Sequence, residues 1–499
     1  MRVLLGGLLL LAASLTTAIA DDQVELAPEW AACRARDQDP QAALVGCNRL
    51  IESGKLTQEH LAWAYMDRGL VWENLRRADQ AEADLLKAES VYPADWKSYY
   101  NLAPLLRDLG RYEESVDQSD RAIARIPILD VKDLAWIHCG RGQALQALDR
   151  SDEALESYEA GFKASPGNEC VAERLAGAYR GRKRYDDAIG VLDQALEAIG
   201  PDFDLLYERG AVYREMQRFD LAFSAFNQAL AIAPRNVAAM IARADLYDRT
   251  GQPGRAIADF TTAIALRPNY AEGYSRRASV YDELGRYNAA MADCDRVIAL
   301  VHRDVGCWHL QMEDAMALGD FKAAVNYATT LIDDGEQDYL LYRGAARFAT
   351  GDLAGAESDF VGFTEAQPEI PYGWVWLHLA ERGLGKDDSA KLAEMARRRE
   401  AWPHMVIRYA AGQVTAEQLL ASTDVPDPDL KRQRRAEAEF YMGELAALAG
   451  DTAAAKDHFK RALAIGRAQF DLTKNIVVYK PDDDLELAVA RAALHDQGY

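Results

Sequence analysis

The chain has 499 residues, 49% of them hydrophobic and 27% charged, and its 79 acidic side chains outnumber 57 basic ones for a formal net charge of −22. Such an acidic balance lacks the basic footprint that binds phosphate backbones, so it argues against nucleic acid and against an anionic membrane surface as partners. Abundant alanine, leucine and charged residues with modest glycine and proline favour helices, in several globular domains or in one long array.

The start of the chain reads as a leader. Arg2 precedes an apolar run over residues 3–15, then come Thr16, Thr17 and Ala18-Ile19-Ala20, with Asp21 and Asp22 beyond. A basic start, a short apolar stretch and an A-x-A ending predict a signal peptide over 1–20, cleaved after Ala20. The run is shorter than the roughly 20 apolar residues of a membrane span. The residue directly after the cleavage point is Asp21 and not a cysteine, so the expected product is periplasmic or secreted, with no membrane anchor.

Residues 21–61 are expected to form a helical hairpin that caps the repeats beyond it, with helical patterns over 30–37 and 41–53 separated by Asp39-Pro40. A 34-residue pattern then recurs over 62–368, in about nine units. Its fullest copy spans 202–236. Tyr207, Gly210 and Tyr213 share one face of a first helix, Phe219 marks the turn, and Ala222, Phe226 and Ala229 form the matching face of a second. Pro234 ends the unit, since proline lacks the N–H that a helix needs and clashes with the turn before it. The same frame carries Tyr65, Gly69, Leu85 and Pro93 in the first unit and Ala244, Tyr247, Phe260 and Pro268 in the sixth. Residues 130–134 are an insertion, and the eighth unit (Trp308, Gly319, Phe321) lacks its proline. The pattern decays over 369–435 and returns over 436–499 as one more unit, with Tyr441, Gly443 and Phe459, and a capping helix. A two-helix unit of this size cannot bury its own apolar face, so successive units must stack.

Small, aromatic and proline residues at these offsets in a 34-residue period resemble the tetratricopeptide repeat (TPR). The resemblance implies an all-α, right-handed superhelical solenoid whose first helices line a concave groove for peptides or partner proteins. A narrower resemblance lies near the C-terminus, in Ala401-Trp402-Pro403, residues 409–420 and Ala438-Glu439-Phe440-Tyr441-Met442-Gly443. It is to exported bacterial TPR proteins of the NlpI-like envelope-adaptor kind, though this chain is longer and has no lipobox cysteine.

The six cysteines fall in near pairs, Cys33 with Cys47, Cys139 with Cys170 and Cys294 with Cys307. An exported chain favours disulfides, and although six cysteines allow 15 pairings, the local one is expected. Buried free thiols are the alternative. The eight histidines are scattered. There is no H-E-x-x-H, no nucleophile elbow and no phosphate-binding glycine loop, so no enzyme, metal or cofactor is expected. An enzyme hidden beyond residue 374 would call on His404 or His458.

The repeat frame places groove-facing side chains at the second, fifth, ninth and twelfth positions of each first helix. The early units supply Trp63, Met66, Lys97, Tyr100, Arg107, Trp136, Glu173, Arg180, Tyr207 and Arg214. Later ones supply Asp245, Asp248, Glu272, Asp282 and Glu313. The groove is thus expected to be aromatic and partly basic early, then acidic, and suited to a basic segment of an exported partner. The expected function is a non-catalytic adaptor of the bacterial periplasm or envelope. The alternative is a self-associating scaffold that uses 374–435; the oligomeric state is left open.

Overall fold

The computed structural model describes residues 26–127, 129–397, 402–467 and 489. The expected leader, and nearly all of the capping segment beyond 467, lie outside the described residues. Among the described residues there are 26 helices and no strand. An entry hairpin, α1 (Ala27–Arg34) and α2 (Pro40–Glu52), precedes five helix pairs: α3 (Gln58–Asn74) with α4 (Ala78–Val91), α5 (Trp96–Asp108) with α6 (Tyr112–Ile123), α7 (Val131–Ala147) with α8 (Ser151–Ala164), α9 (Glu169–Gly181) with α10 (Tyr185–Ile199), and α11 (Phe203–Glu215) with α12 (Phe219–Ile232). These make one compact unit that ends at Pro234.

A second unit starts at Arg235. It pairs α13 (Val237–Arg249) with α14 (Pro253–Leu266), α15 (Ala271–Glu283) with α16 (Tyr287–Val301), α17 (Val305–Leu318) with α18 (Phe321–Asp333), and α19 (Leu340–Ala349) with α20 (Leu353–Ala366). Then come α21 (Pro371–Gly383), α22 (Ser389–Met395), α23 (His404–Ala410), α24 (Ala416–Ala421), and a closing pair, α25 (Pro428–Leu448) with α26 (Thr452–Arg467). Within each unit the helices pack in chain order, and successive first helices also touch: α3 with α5, α5 with α7, α7 with α9, α9 with α11, then α13 with α15 and α15 with α17. No contact of that extent joins successive second helices among the described residues. First helices therefore form the tighter side of each unit.

Local signals explain where the helices begin and turn. Asp95, Asn168, Asp202, Asn236 and Asp304 each accept a backbone N–H in the first turn of a first helix, which satisfies donors that the helix leaves orphaned. The turn to the second helix needs a left-handed residue. Gly110 supplies it at φ 77° and Gly285 at φ 68°, but Arg76, Asp149, Lys183 and Gln217 adopt it without being glycine.

Within a pair, closeness comes from one contact repeated at a separation of sixteen residues. Gly210 faces the Phe226 ring so tightly that a Cβ on Gly210 would lie 2.6 Å from a ring carbon. Gly142 with Tyr158, Gly344 with Phe360 and Gly443 with Phe459 repeat the arrangement. Beside it runs a second contact at the same spacing. Arg68, Arg243, Arg277 and Arg343 each grip Asp84, Asp259, Asp293 and Asp359 respectively through two hydrogen bonds of 2.7–3.0 Å. In the pair formed by α11 and α12, Ala225 stands where the aspartate would be, and Arg209 turns to Asp193 on α10, 3.0 Å away.

Residues 369–435 differ from a degenerate repeat array. Pro403, Gly412 and Pro426 break the chain into the short helices α22 to α24, and α25 runs for 21 residues. Trp376 on α21 joins them to the preceding pair. It is fully buried, with ring centroids 5.5 Å from Phe348, 5.8 Å from Phe360 and 5.6 Å from Phe440. The Glu437 carboxylate accepts from Tyr372 and Trp402 at 2.9 Å each.

Disulfides join Cys33 to Cys47 and Cys139 to Cys170, with Cα atoms 4.7 and 6.2 Å apart. The expected third bridge is absent: Cys294 on α16 and Cys307 on α17 are free thiols. They are buried together among Ala278, Ala290 and Val297, where they fill apolar space as small side chains do. Thiol titration of the unfolded, unreduced protein should therefore find two reactive cysteines per chain. Finding none would show that the third bridge forms.

Gly210→Ala is expected to cost about 1–3 kcal/mol through overpacking against Phe226, seen as a lower urea midpoint. An unchanged midpoint would show that the ring can move aside.

Candidate functional site

The first helices of the two units carry different chemistry. In the first unit, the Trp63 indole N–H donates to Asp95 at 3.1 Å, and the Lys97 ammonium lies 5.7 Å from the Trp63 ring and 5.9 Å from that of Trp96. Tyr100 packs on Trp96 at 5.7 Å, and burial, then the charge of Asp133, raises its phenol pKa. Trp136 lies one turn beyond Asp133 on α7, and 46% of its surface is exposed. Tryptophan is enriched among the side chains that carry binding energy in protein interfaces. Arg107 is half-buried and lies beside Gly140 of α7, where a Cβ would come within 3.5 Å of its guanidinium.

Three expected groove residues are less open than the repeat frame implies. Arg180 is held by Glu208 at 2.7 Å and Glu215 at 2.6 Å, both on α11, so it ties adjacent first helices together. Tyr207 stacks on Phe203 at 6.1 Å and packs against Phe226 at 5.8 Å, within its own helix pair. Asp282 is only 8% exposed. Helical phase sets the direction of a side chain, but a neighbour with matching charge or shape captures it. Arg214 is half-buried on α11.

The acidic face of the second unit spans α13, α15 and α17. Asp245 and Glu272 lie 4.0 and 3.5 Å from opposite ends of the Arg276 guanidinium. Burial raises the carboxyl pKa of Asp248, and it raises that of Glu283 together with the charges of Asp248 and Asp282. Asp314 is fully buried on α17; burial and contact with Asp282 push its pKa up to about 9. Next to it, Glu313 lies 3.3 Å from Nε2 of His309, whose Nδ1 is 3.0 Å from the Tyr339 hydroxyl. Glu283 and Asp314 fall outside the frame positions used to read the groove. A usable signal was present, since Asp248 and Asp282 occupy one frame position 34 residues apart, and Asp314 comes 32 later, where the unit is short.

Other polar groups have local partners. Nδ1 of His378 meets Asp388 at 2.6 Å, that of His458 meets Glu439 at 2.7 Å, and His404 is buried. His302 takes a left-handed conformation just after α16, so it shares no helix with His309. Among the described residues no group of three or more His, Cys, Asp or Glu is arranged to hold a metal, and no helix is long and apolar enough to cross a membrane. A cavity of about 1000 Å³ opens beside α24, α25 and α26, lined by Glu417, Leu420, Lys431, Arg432, Arg435 and Ile465. Its Lys431 and Arg432 are paired with Asp424 and Asp429.

Two family models, each described as a tetratricopeptide repeat, match residues 64–127, 139–202, 241–301 and 310–362 in one case and 203–236 in the other, together more than half of the chain. The chain belongs to the TPR family. Proteins of this kind mediate protein–protein interactions. Similar solved TPR structures include pilF of Pseudomonas aeruginosa, at 15% identity over 42% of this chain and 96% of that one (TM-score 0.37). A tetratricopeptide repeat protein from Parabacteroides merdae is 18% identical over 56% of this chain and 94% of that one (TM-score 0.35). MamA from Desulfovibrio magneticus is 20% identical over 34% and 95% (TM-score 0.31).

A stability measurement tests the buried acid of this TPR protein. The Asp314 pKa in the folded chain stands far above the ordinary 3.8. Its contribution to stability is thus fully present below the ordinary carboxylate range and is lost as pH rises towards about 9. Asp314→Asn has no such proton to lose. Its thermal midpoint, relative to wild type, is expected to improve steadily from pH 5 to pH 9, and a constant difference would refute the assignment.

Proposed function

We propose that this TPR protein is a non-catalytic adaptor of the bacterial periplasm or cell envelope, which holds segments of exported partner proteins against its first helices. The observation that carries the reading is the exposed Trp136 indole on the first helix α7, whose Asp133 and Gly140 lie near Tyr100 and Arg107 of the neighbouring first helix α5. An aromatic anchor with an arginine nearby is the composition on which binding energy concentrates in protein interfaces. Export is supported by the leader pattern over 1–20 and by two cysteine pairs at bonding distance, which suit an oxidising compartment. The narrower resemblance of the C-terminal part to envelope adaptors favours the same setting.

Site-specific photo-crosslinking in cells tests it. A crosslinker at position 136, on a first helix, is expected to capture defined partner proteins. One at Leu86 on α4, a second-helix position of similar exposure, is expected to capture none of them. Trp136→Ala should lower affinity for a captured partner about tenfold or more, the usual effect of losing an anchor. Equal capture at both positions, or no effect of Trp136→Ala, would refute the reading.

A further inference from the structure

The acidic face of the second unit contains a buried carboxyl without a cation. Asp314 is 0% exposed, and no N–H donor reaches either of its oxygens. What it faces is another acid, Asp282 on the neighbouring first helix α15, with Glu313 beside it on its own helix. The surrounding elements add more acid. Asp248 on α13 and Asp282 both act on Glu283 of α15. The Cys294 thiol on α16, beside that of Cys307 on α17, feels the charges of Asp314 and Asp304. His309 on α17 is held between Glu313 and Tyr339, and burial lowers its pKa, which keeps the ring neutral. The nearby bases have other engagements. Arg277 is clamped on Asp293, and Arg276 is shared by Asp245 and Glu272. Arg249 offsets Asp248 in part.

Two carboxyls in contact and out of water cannot both ionise at acceptable cost, so they hold a proton between them. A cation seated at the rim changes that balance. In a poorly screened site it stabilises the second negative charge, and the proton passes to water as the cation takes its place. Charge complementarity selects the occupant: a side-chain ammonium or guanidinium carried on a protein segment, the partner class that a TPR surface accommodates.

We propose that the face formed by Asp248, Asp282, Glu283, Glu313 and Asp314 binds a lysine- or arginine-bearing segment of a partner protein, and that seating its cation expels the proton shared by Asp282 and Asp314. The inference rests on the interaction function above and adds to it a partner chemistry and a coupling. The exchange balances in charge, since one bound cation replaces one released proton. Because the proton must leave, binding strengthens as pH rises, although the acidic protein and the basic segment keep their overall signs.

The test uses the full chain and a fluorescent octalysine peptide, with octaglutamate as control. Lysine stays protonated throughout pH 6–8, so any pH dependence arises in the protein. At constant ionic strength the dissociation constant is expected to fall by about tenfold per pH unit between pH 6 and pH 8, as linkage to one released proton implies. Calorimetry in buffers of different ionisation enthalpy should register that proton. In Asp314→Asn the proton release should vanish and the pH effect shrink to below about twofold. Asp248→Asn with Glu283→Gln, both at the rim, should weaken octalysine binding at either pH, with helicity unchanged by circular dichroism.

Binding without proton release, or the same pH dependence in Asp314→Asn, would overturn the coupling. Unaltered binding by the rim double variant, or no octalysine binding at all, would overturn the site. The interaction function is judged separately, by crosslinking at position 136.

Discussion

The contact on which the structure depends is that of a small residue on a first helix with a large side chain sixteen residues later on the second. Gly210 with Phe226, Gly142 with Tyr158, Gly344 with Phe360 and Gly443 with Phe459 bring two helix backbones close enough that no Cβ fits between glycine and ring. Only then do both apolar faces of a pair become buried, and only then does the pair present surfaces on which its neighbours can stack. The contact is local in sequence, so each pair specifies itself. The array extends by repetition, with no single core to limit its length.

The second constraint is electrostatic. Many of the arginines are absorbed by architecture: Arg68, Arg243, Arg277 and Arg343 clamp an aspartate in their own pair, Arg180 ties α9 to α11, and Arg111 joins Glu82 to Glu114. With many bases spent in this way, the acidic surplus of the composition gathers on the first-helix face of α13, α15 and α17, where Arg276 is shared by Asp245 and Glu272. There burial raises the carboxyl pKa of Asp248, Glu283 and Asp314, with neighbouring acids adding to it at Glu283 and Asp314.

Much of the fold was legible in the residues. The 34-residue period, the prolines that end units and the Gly–aromatic pairs located the helices of 62–368 and the hairpin stapled by Cys33 and Cys47. The arginine–aspartate clamp was legible too, at the same sixteen-residue spacing, but it concerns polar residues and an apolar pattern passes over it. The candidate site was less legible. Helical phase placed Tyr207 and Arg180 towards the groove, but Phe226 and Glu208 hold them in the framework. Phase likewise placed Asp282 at the surface, whereas packing leaves it only 8% exposed. The region 369–435 lost its period because Trp376, Phe440 and Tyr441 gather several short helices around one aromatic core.

What the sequence by itself determined is the repeating all-α architecture, because the interactions that build it lie within some sixteen residues of each other and recur in one frame. It also determined the acidic character of the later first helices, since composition and phase are local properties. The tertiary structure alone decided which charges stay available. Whether an arginine is a clamp or a contact, whether Cys294 and Cys307 bond or pack, and whether two aspartates meet out of water are set by distances between units. Those distances depend on the shapes of all the intervening side chains, and a frame of 34 residues does not encode them.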